Sequence, residues 1–178
     1  MKKILFAGIT LAMAVGLAAF CFAGPKAPPP VAIKWYTWQE AQDLQKTAPK
    51  KLFIDVYTEW CGWCKRMDKT TLVDSAVAVY LAANYYPVKF DAEQKNDIQF
   101  SGQTFKYTTE NGRGVHQLAV ALLDGNMGYP SYVYLNEKNE RIMVSPGYKE
   151  PADLIKELKF ATEEMYKTTT WEKYRDGK

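Results

Sequence analysis

The chain has 178 residues, which is enough for one domain with a sizeable core once a short leader is set aside. Its 23 basic and 20 acidic residues give a formal net charge of only +3, and this near-neutral balance argues against a nucleic-acid-binding surface. With three cysteines and one histidine, the chain has few ligands to offer a four-coordinate zinc site.

Residues 1–23 have the form of a secretory signal peptide. Lys2 and Lys3 precede an apolar run, and Ala23 provides a small residue for cleavage. We therefore expect a periplasmic or otherwise exported protein, in a compartment where a cysteine pair can persist as a disulfide. Two alternatives stay open, because the run is long enough for an uncleaved anchor and Cys21 could be a lipoprotein cysteine. We expect no stable membrane insertion of the mature domain.

A linker and then regular elements follow the leader. Residues 24–34 are rich in proline, which predicts a stiff, extended linker before a domain at 35–166. Thr37 and Glu40 have the spacing of a capping box, which predicts a helix that begins at Trp38. Apolar spacing then predicts a strand at 52–58, helices at 61–69 and 75–84, and a strand at 86–91.

A long connection, residues 92–128, separates these elements from the rest. Residues 98–100 and 104–107 alternate around a Ser-Gly turn, which predicts a hairpin. An apolar helical stripe that starts at Val115 places His116 on a solvent-facing flank. The remaining predicted elements are strands at 131–136 and 141–145, a helix at 152–166 and a polar tail at 167–178.

The order of the elements limits the fold. A strand–helix–strand unit requires parallel pairing, and the short turn between the last two strands requires an antiparallel hairpin. We therefore expect an α/β fold with a mixed central sheet and helices on both faces.

The motif Trp60-Cys61-Gly62-Trp63-Cys64 lies between a strand and a helix and predicts a redox site. Cys61 starts the helix, where unpaired N–H groups and the helix dipole stabilise a thiolate. Cys64 lies one turn further along the same face. We expect Cys61 to be the nucleophile that attacks a substrate disulfide and Cys64 to resolve the mixed disulfide.

Two other uses of the cysteine pair stay open. Half of a zinc site would need further ligands, and His116 lies more than fifty residues beyond Cys64. A structural disulfide across so short a loop would stabilise little and would be easily reduced. For a redox site we expect no metal and no organic cofactor, because the two sulfurs hold the electrons.

From about Trp35 to Phe160 the chain resembles the thioredoxin family. Residues 54–65 look like the family's strand, redox site and helix, and residues 129–135 look like the segment that carries its cis-proline. More narrowly, the chain is similar to exported thioredoxin-fold proteins of Bacteroidetes-type bacteria. It departs from the family in having Trp63 where thioredoxin has proline. Its longer connection before the proline loop carries the predicted hairpin and helix.

The resemblance implies roles for residues outside the motif. Asp55 would be a buried base for Cys64, and a solvated carboxylate is the alternative. Lys89 could pair with Asp55, although a plain surface lysine fits equally well. Pro130 would be cis, so that the backbone of Tyr129 faces the sulfurs and can pair with an extended substrate.

Aromatic side chains should surround the cysteines. Trp60, Trp63 and Tyr129 would form an exposed substrate-binding surface, with core packing as the alternative for the two tryptophans. Gly62 and Trp63, between the cysteines, would tune the redox poise. Since neither is a histidine, a reductase or isomerase is favoured over a strong oxidant.

The sequence therefore predicts an exported thiol–disulfide oxidoreductase. Its expected partners are disulfide-containing exported proteins and an upstream electron donor or acceptor, with no nucleic acid. The alternatives are a binding module with incidental cysteines and a reductase dedicated to one exported partner. In the second alternative, the connection at 92–128 would be the docking element.

Overall fold

A computed structural model gives the fold and describes residues 32–110 and 113–177. The predicted signal peptide and residues 24–31 of the predicted linker lie outside the described residues. The helices are α1 Trp38–Thr47, α2 Gly62–Lys69, α3 Ser75–Asn84, α4 Gln117–Leu122, α5 Pro151–Thr162 and α6 Trp171–Arg175. The strands are β1 Lys51–Tyr57, β2 Tyr85–Asp91, β3 Ile98–Phe100, β4 Gln103–Phe105, β5 Tyr107–Glu110, β6 Arg113–His116, β7 Ser131–Leu135 and β8 Arg141–Pro146.

The central sheet has four strands in the order β2-β1-β7-β8. β1 pairs with β2 in parallel, whereas β7 pairs with both β1 and β8 antiparallel. The mixed sheet predicted from the order of the elements is therefore confirmed. Among the described residues, no helix is both long and apolar enough to cross a membrane.

Side chains of β1 alternate between the two faces of the sheet. Ile54 packs in a core with α1 and α4, whereas Phe53 packs on the opposite face with α2, α3 and α5. Asp55 shares the face of Phe53, because strand residues two apart point to the same side. Its register partners, Lys89 on β2 and Tyr132 on β7, face that side too. The sheet therefore brings these three polar side chains together beneath α2.

The residues before α1 cover part of the outer edge of β2. Tyr36 forms a parallel bridge with Val88. Its N–H donates to the Pro87 carbonyl at 2.8 Å, and its carbonyl accepts from the Lys89 N–H at 3.3 Å. The chain is thus anchored to the sheet just before the first helix begins.

The C-terminal region differs from its prediction. The last long helix ends at Thr162 and not at 166, because Glu164 takes a left-handed conformation with φ of 56°. The predicted polar tail contains α6, whose Trp171 and Tyr174 rings lie 5.4 and 5.2 Å from that of Phe160. Two aromatic side chains three residues apart share one helix face, which lets this short helix pack on α5.

The connection at 92–128 contains the predicted hairpin and a second one. β3 pairs with β4 as expected, and Phe100 packs edge-on against Trp38 of α1 with ring centroids 4.9 Å apart. The hairpin of β5 and β6 was not predicted from the sequence. There the Tyr107 ring covers Gly114, where an added Cβ would lie 1.5 Å from the tyrosine hydroxyl. The connection is thus packed onto the domain core, and its role in partner selection stays a prediction.

The prediction for His116 was wrong. The helix begins at Gln117, two residues after Val115, and His116 is its fully buried N-cap. His116 Nδ1 accepts the Leu118 N–H at 3.2 Å, which leaves Nε2 to donate to the Asn96 carbonyl at 3.0 Å. The residue therefore joins the connection to α4 and does not lie on a solvent-facing flank.

Replacing His116 should make the protein less stable and remove a pH dependence. We expect His116→Ala to lower the free energy of unfolding by about 2 kcal/mol, because the helix cap and a buried hydrogen bond are lost. Burial lowers the pKa of His116 below its ordinary 6.5, against the opposing effects of Asn96 and Asp97. At this residue the unfolded chain therefore binds more protons, and the contribution of His116 to native stability should decline as the pH falls below about 6.5.

Urea unfolding between pH 5 and 8 measures both effects. The variant should be less stable at pH 8, and its deficit relative to the parent should shrink toward pH 5. His116→Asn, which retains a capping oxygen, is the matched control and should recover about 1 kcal/mol. Equal stability of His116→Ala and the parent at pH 8 would contradict the structural role of His116.

Candidate active site

The loop after β1 places Cys61 at the start of α2. The Cys61 N–H donates to the Thr58 carbonyl at 3.1 Å, and Cys61 is the N-cap of the helix. Its Sγ accepts the backbone N–H of Cys64 at 3.0 Å. A helix-terminal N–H aimed at this sulfur stabilises negative charge there, which is the condition for a reactive thiolate.

Cys61 and Cys64 form a disulfide, with their Cα atoms 5.3 Å apart. Both cysteines are nearly covered, with 4% and 2% of their surfaces exposed. Cys64 also lines an open cavity of about 210 Å³, together with Thr58, Asp68 and Lys89. Cys64, the second cysteine of the pair, thus borders a cavity that polar side chains line beneath α2.

Asp55 and Lys89 form an ion pair in that region. Lys89 Nζ lies 2.6 Å from Asp55 Oδ2 and 2.5 Å from Asp68 Oδ1, and its side chain is only 24% exposed. Of the two alternatives for Lys89, the structure has the pair and not the surface lysine. Asp68 was not foreseen, although it lies one helical turn after Cys64 and this spacing places both residues on one face of α2.

The Asp55 carboxyl group is poised to exchange a proton near neutral pH. The residue is 1% exposed, and burial raises the pKa of Asp55 to about 6 despite the opposing effect of Lys89. The two carboxylates raise the pKa of Lys89, although its burial acts in the opposite direction. Asp55 Oδ1 has no hydrogen-bond partner among the described residues, so this oxygen is free to accept a proton.

The proline loop lies before β7. The peptide bond between Tyr129 and Pro130 is cis, as the resemblance implies. The Pro130 carbonyl accepts the Gly147 N–H at 2.7 Å, and the Ser131 hydroxyl donates to the Gly128 carbonyl at 2.7 Å. The loop is thereby tied to the end of β8, and backbone pairing of Tyr129 with a substrate stays a prediction.

Two exposed tryptophans belong to the motif, Trp60 just before Cys61 and Trp63 just before Cys64. Trp60 and Trp63 are 64% and 57% exposed, so core packing is wrong for both. The Trp60 ring lies 5.8 Å from that of Tyr129, and its Nε1 donates to Glu93 at 2.9 Å. Gly62, between the cysteines, is exposed and has room for an added Cβ.

Two further residues near Trp63 were not identified from the sequence. The Tyr148 ring lies 5.7 Å from that of Trp63, and the guanidinium of Arg66 lies over both rings at 5.4 to 5.5 Å. Arg66 follows Trp63 by three residues, a spacing that predicts contact on a helix. Tyr148 lies far away in sequence, and no local pattern could have placed it here.

The geometry does not support the zinc alternative. Cys61 and Cys64 are joined to each other, and both ring nitrogens of His116 are in hydrogen bonds to the chain. The site instead unites a cysteine pair at a helix start, a buried carboxyl group and a cis-proline loop. These groups can carry out thiol–disulfide exchange without any added group.

Comparisons with known proteins agree with this geometry. A family model described as "Thioredox_DsbH: Protein of unknown function, DUF255" matches residues 26–176. Human spermatogenesis-associated protein 20 is 30% identical over 83 residues, which are 46% of this chain and 11% of the human protein. The matched region is thus about a tenth of that relative's length.

Two solved structures share the fold. One, described as a DsbH oxidoreductase, has a TM-score of 0.54 and 20% identity, and the match covers 79% of this chain and 93% of that chain. A thioredoxin from Thermus thermophilus has a TM-score of 0.53 and 21% identity, and the match covers 72% and 85% of the two chains. The predicted thioredoxin fold is therefore confirmed.

Proposed function

The chain belongs to the Thioredox_DsbH family of thioredoxin-fold proteins, and from this membership we propose that it is an exported thiol–disulfide oxidoreductase. It would reduce or exchange disulfides in exported proteins. An upstream electron donor or acceptor would then return the Cys61–Cys64 pair to its starting redox state. The observation that carries the proposal is the N–H of Cys64 aimed at Cys61 Sγ at the start of α2. Export rests on the signal-like pattern of residues 1–23.

The reaction needs only the side chains of the site. The Cys61 thiolate attacks one sulfur of a substrate disulfide, forms a mixed disulfide and releases the other substrate sulfur as a thiolate. Cys64 then gives its proton to Asp55 and attacks Cys61 Sγ. This second attack forms the disulfide between Cys61 and Cys64, releases the second substrate thiolate and completes the transfer of two electrons to the substrate.

Asp55 fits the role of base in the second step. Burial raises the pKa of Asp55 to about 6, and its partner Lys89 lines the cavity that Cys64 also borders. One oxygen is held by the lysine, and the other has no partner among the described residues. At neutral pH the carboxylate can therefore accept the Cys64 proton, directly or through one water.

Alkylation of the reduced protein tests the division of roles between the cysteines. We expect iodoacetamide to modify Cys61 at least about tenfold faster than Cys64 at pH 7, because the helix start enriches the Cys61 thiolate. Mass spectrometry of quenched samples gives both rates. Equal rates, or faster modification of Cys64, would contradict the assignment, and an unfolded sample in denaturant provides the control for intrinsic reactivity.

A further inference from the structure

The surface beside Cys61 carries an arginine that lies over two neighbouring aromatic rings. Arg66 Cζ lies 5.5 Å from the Trp63 ring centroid and 5.4 Å from that of Tyr148. The Tyr148 hydroxyl is in turn 3.2 Å from Thr70 Oγ1, which donates to the Arg66 carbonyl at 2.9 Å. The ring and the helix that carries Arg66 are therefore fixed relative to each other.

The donors of this arginine remain available to a partner. Arg66 is exposed, and within residues 32–110 and 113–177 its guanidinium forms no salt bridge. Stacking on aromatic faces leaves the N–H edge of a guanidinium open to a carboxylate. The immobilised side chain also loses less conformational entropy when it binds.

Charges are distributed unequally on the two sides of the cysteines. On the Trp63 side, Arg66 and Lys69, three residues apart on α2, are exposed cations. On the Trp60 side Glu93 accepts from the indole N–H, and Glu59 and Glu93 add to burial in raising the pKa of Asp91. A bound segment that crosses the cysteines therefore meets positive charge at one end and negative charge at the other.

We propose that Arg66 binds an acidic side chain of the substrate, close in sequence to the substrate cysteine that Cys61 attacks. This inference rests on the proposed function and names the substrate class: exported proteins whose reactive cysteine has a neighbouring Asp or Glu. A guanidinium binds a carboxylate through two parallel hydrogen bonds, so the contact fixes orientation as well as charge. Acidic residues at the other end of the same segment would be repelled by Glu59 and Glu93.

Cyclic disulfide peptides with amidated C-termini test the proposal. Three peptides differ only in having Glu, Gln or Lys beside one cysteine, and their reduction rates are divided by the rate with neutral 2-hydroxyethyl disulfide. For the parent protein we expect the Glu peptide to react about tenfold faster than the Lys peptide. Arg66→Ala should remove this preference, and Arg66→Glu should reverse it.

Matched variants distinguish a specific contact of Arg66 from a general electrostatic effect of the positive charge on α2. Lys69→Ala removes the same charge from the same helix and should retain most of the preference, whereas Arg66→Lys should retain a part. A preference absent in the parent, unchanged in Arg66→Ala or equally lost in Lys69→Ala would overturn the proposal.

A binding measurement keeps this inference independent of the redox proposal. Linear forms of the three peptides, with serine in place of both cysteines, are titrated into the oxidised protein while Trp fluorescence is followed. Tighter binding of the Glu peptide that depends on Arg66 would support the assignment even if no disulfide were reduced. Failure to reduce 2-hydroxyethyl disulfide would contradict the oxidoreductase instead.

Discussion

Cys64→Ser should accumulate mixed disulfides with exported proteins, and Cys61→Ser should accumulate none. Cys61 makes the first bond, and without the Cys64 thiol nothing in the site displaces the substrate from it. Loss of either thiol should reduce disulfide turnover by about a thousandfold or more, since the two sulfurs act as one unit. This is the largest effect expected from any single substitution in the chain.

Trapping in cells of the source organism measures this outcome. Acid quenching and alkylation preserve the adducts, which separate on non-reducing gels and disappear when a reductant is added. The variant with serine at both positions is the control and should trap nothing. Adducts formed by Cys61→Ser would reverse the roles of the two cysteines.

An affinity pull-down of the same variants without denaturation distinguishes the binding-module alternative. If the cysteines were incidental, the variant with serine at both positions would still capture partners non-covalently, and Trp63→Ala would abolish that capture. For the oxidoreductase, Cys61 must be present for every adduct. Trp63→Ala should then change which partners are trapped and not whether trapping occurs.

Asp55→Asn should stabilise the fold while it slows the reaction. The parent buries a carboxylate whose pKa rises from 3.8 unfolded to about 6 folded, so its ionisation opposes folding. The native state binds the extra proton, and this stability is present below pH 4 and lost as the pH rises to about 6. An asparagine mimics the protonated form, so above pH 6 we expect a gain on the order of 2–3 kcal/mol.

Thermal or urea unfolding of the oxidised protein at pH 4 and pH 7 checks the stability. The two proteins should be nearly equal at pH 4 and should diverge by pH 7. Lys89 keeps Asp68 as a partner in the variant, so no buried cation is left alone. Asp68→Asn is the control and should shift stability by less than about 1 kcal/mol, because it removes a surface ion pair.

The kinetic effect of Asp55→Asn should fall on the second step, in which Cys64 resolves the mixed disulfide. Without its base, resolution of the mixed disulfide by Cys64 should slow by about a hundredfold at pH 7. Attack by Cys61 should change much less. Rapid-quench measurement of peptide release from a preformed mixed disulfide separates the two steps. If resolution in the variant matches the parent from pH 6 to 8, Asp55 is a structural residue only.

Features set by nearby residues could be predicted from the sequence. The Thr37 and Glu40 capping box is present, with both reciprocal hydrogen bonds formed. The Cys-Gly-Trp-Cys motif could be placed at a helix start because a strand-like run and a helix-like run flank it. The cis form of the bond before Pro130 came from the resemblance, since no local pattern distinguishes that proline from the others.

Features set by distant residues could not be predicted in the same way. Whether Lys89 meets Asp55 depends on the register between β1 and β2, which neither strand specifies alone. The position of His116 was predicted wrongly because the apolar stripe from Val115 fits a helix that begins at Val115 as well as one that begins at Gln117. The His116 ring packs edge-on against Phe90, with ring centroids 5.7 Å apart, and Nε2 donates to the Asn96 carbonyl; both partners are distant in sequence.

The bridge between Tyr36 and Val88 has a consequence for association between molecules. A sheet edge with free N–H and C=O groups is a template on which a second chain can add a strand and begin to aggregate. Tyr36 occupies two of those groups on β2, the Pro87 carbonyl and the Lys89 N–H, and Pro87 has no N–H to offer. Growth of the sheet from one molecule to the next is therefore hindered along this part of the edge.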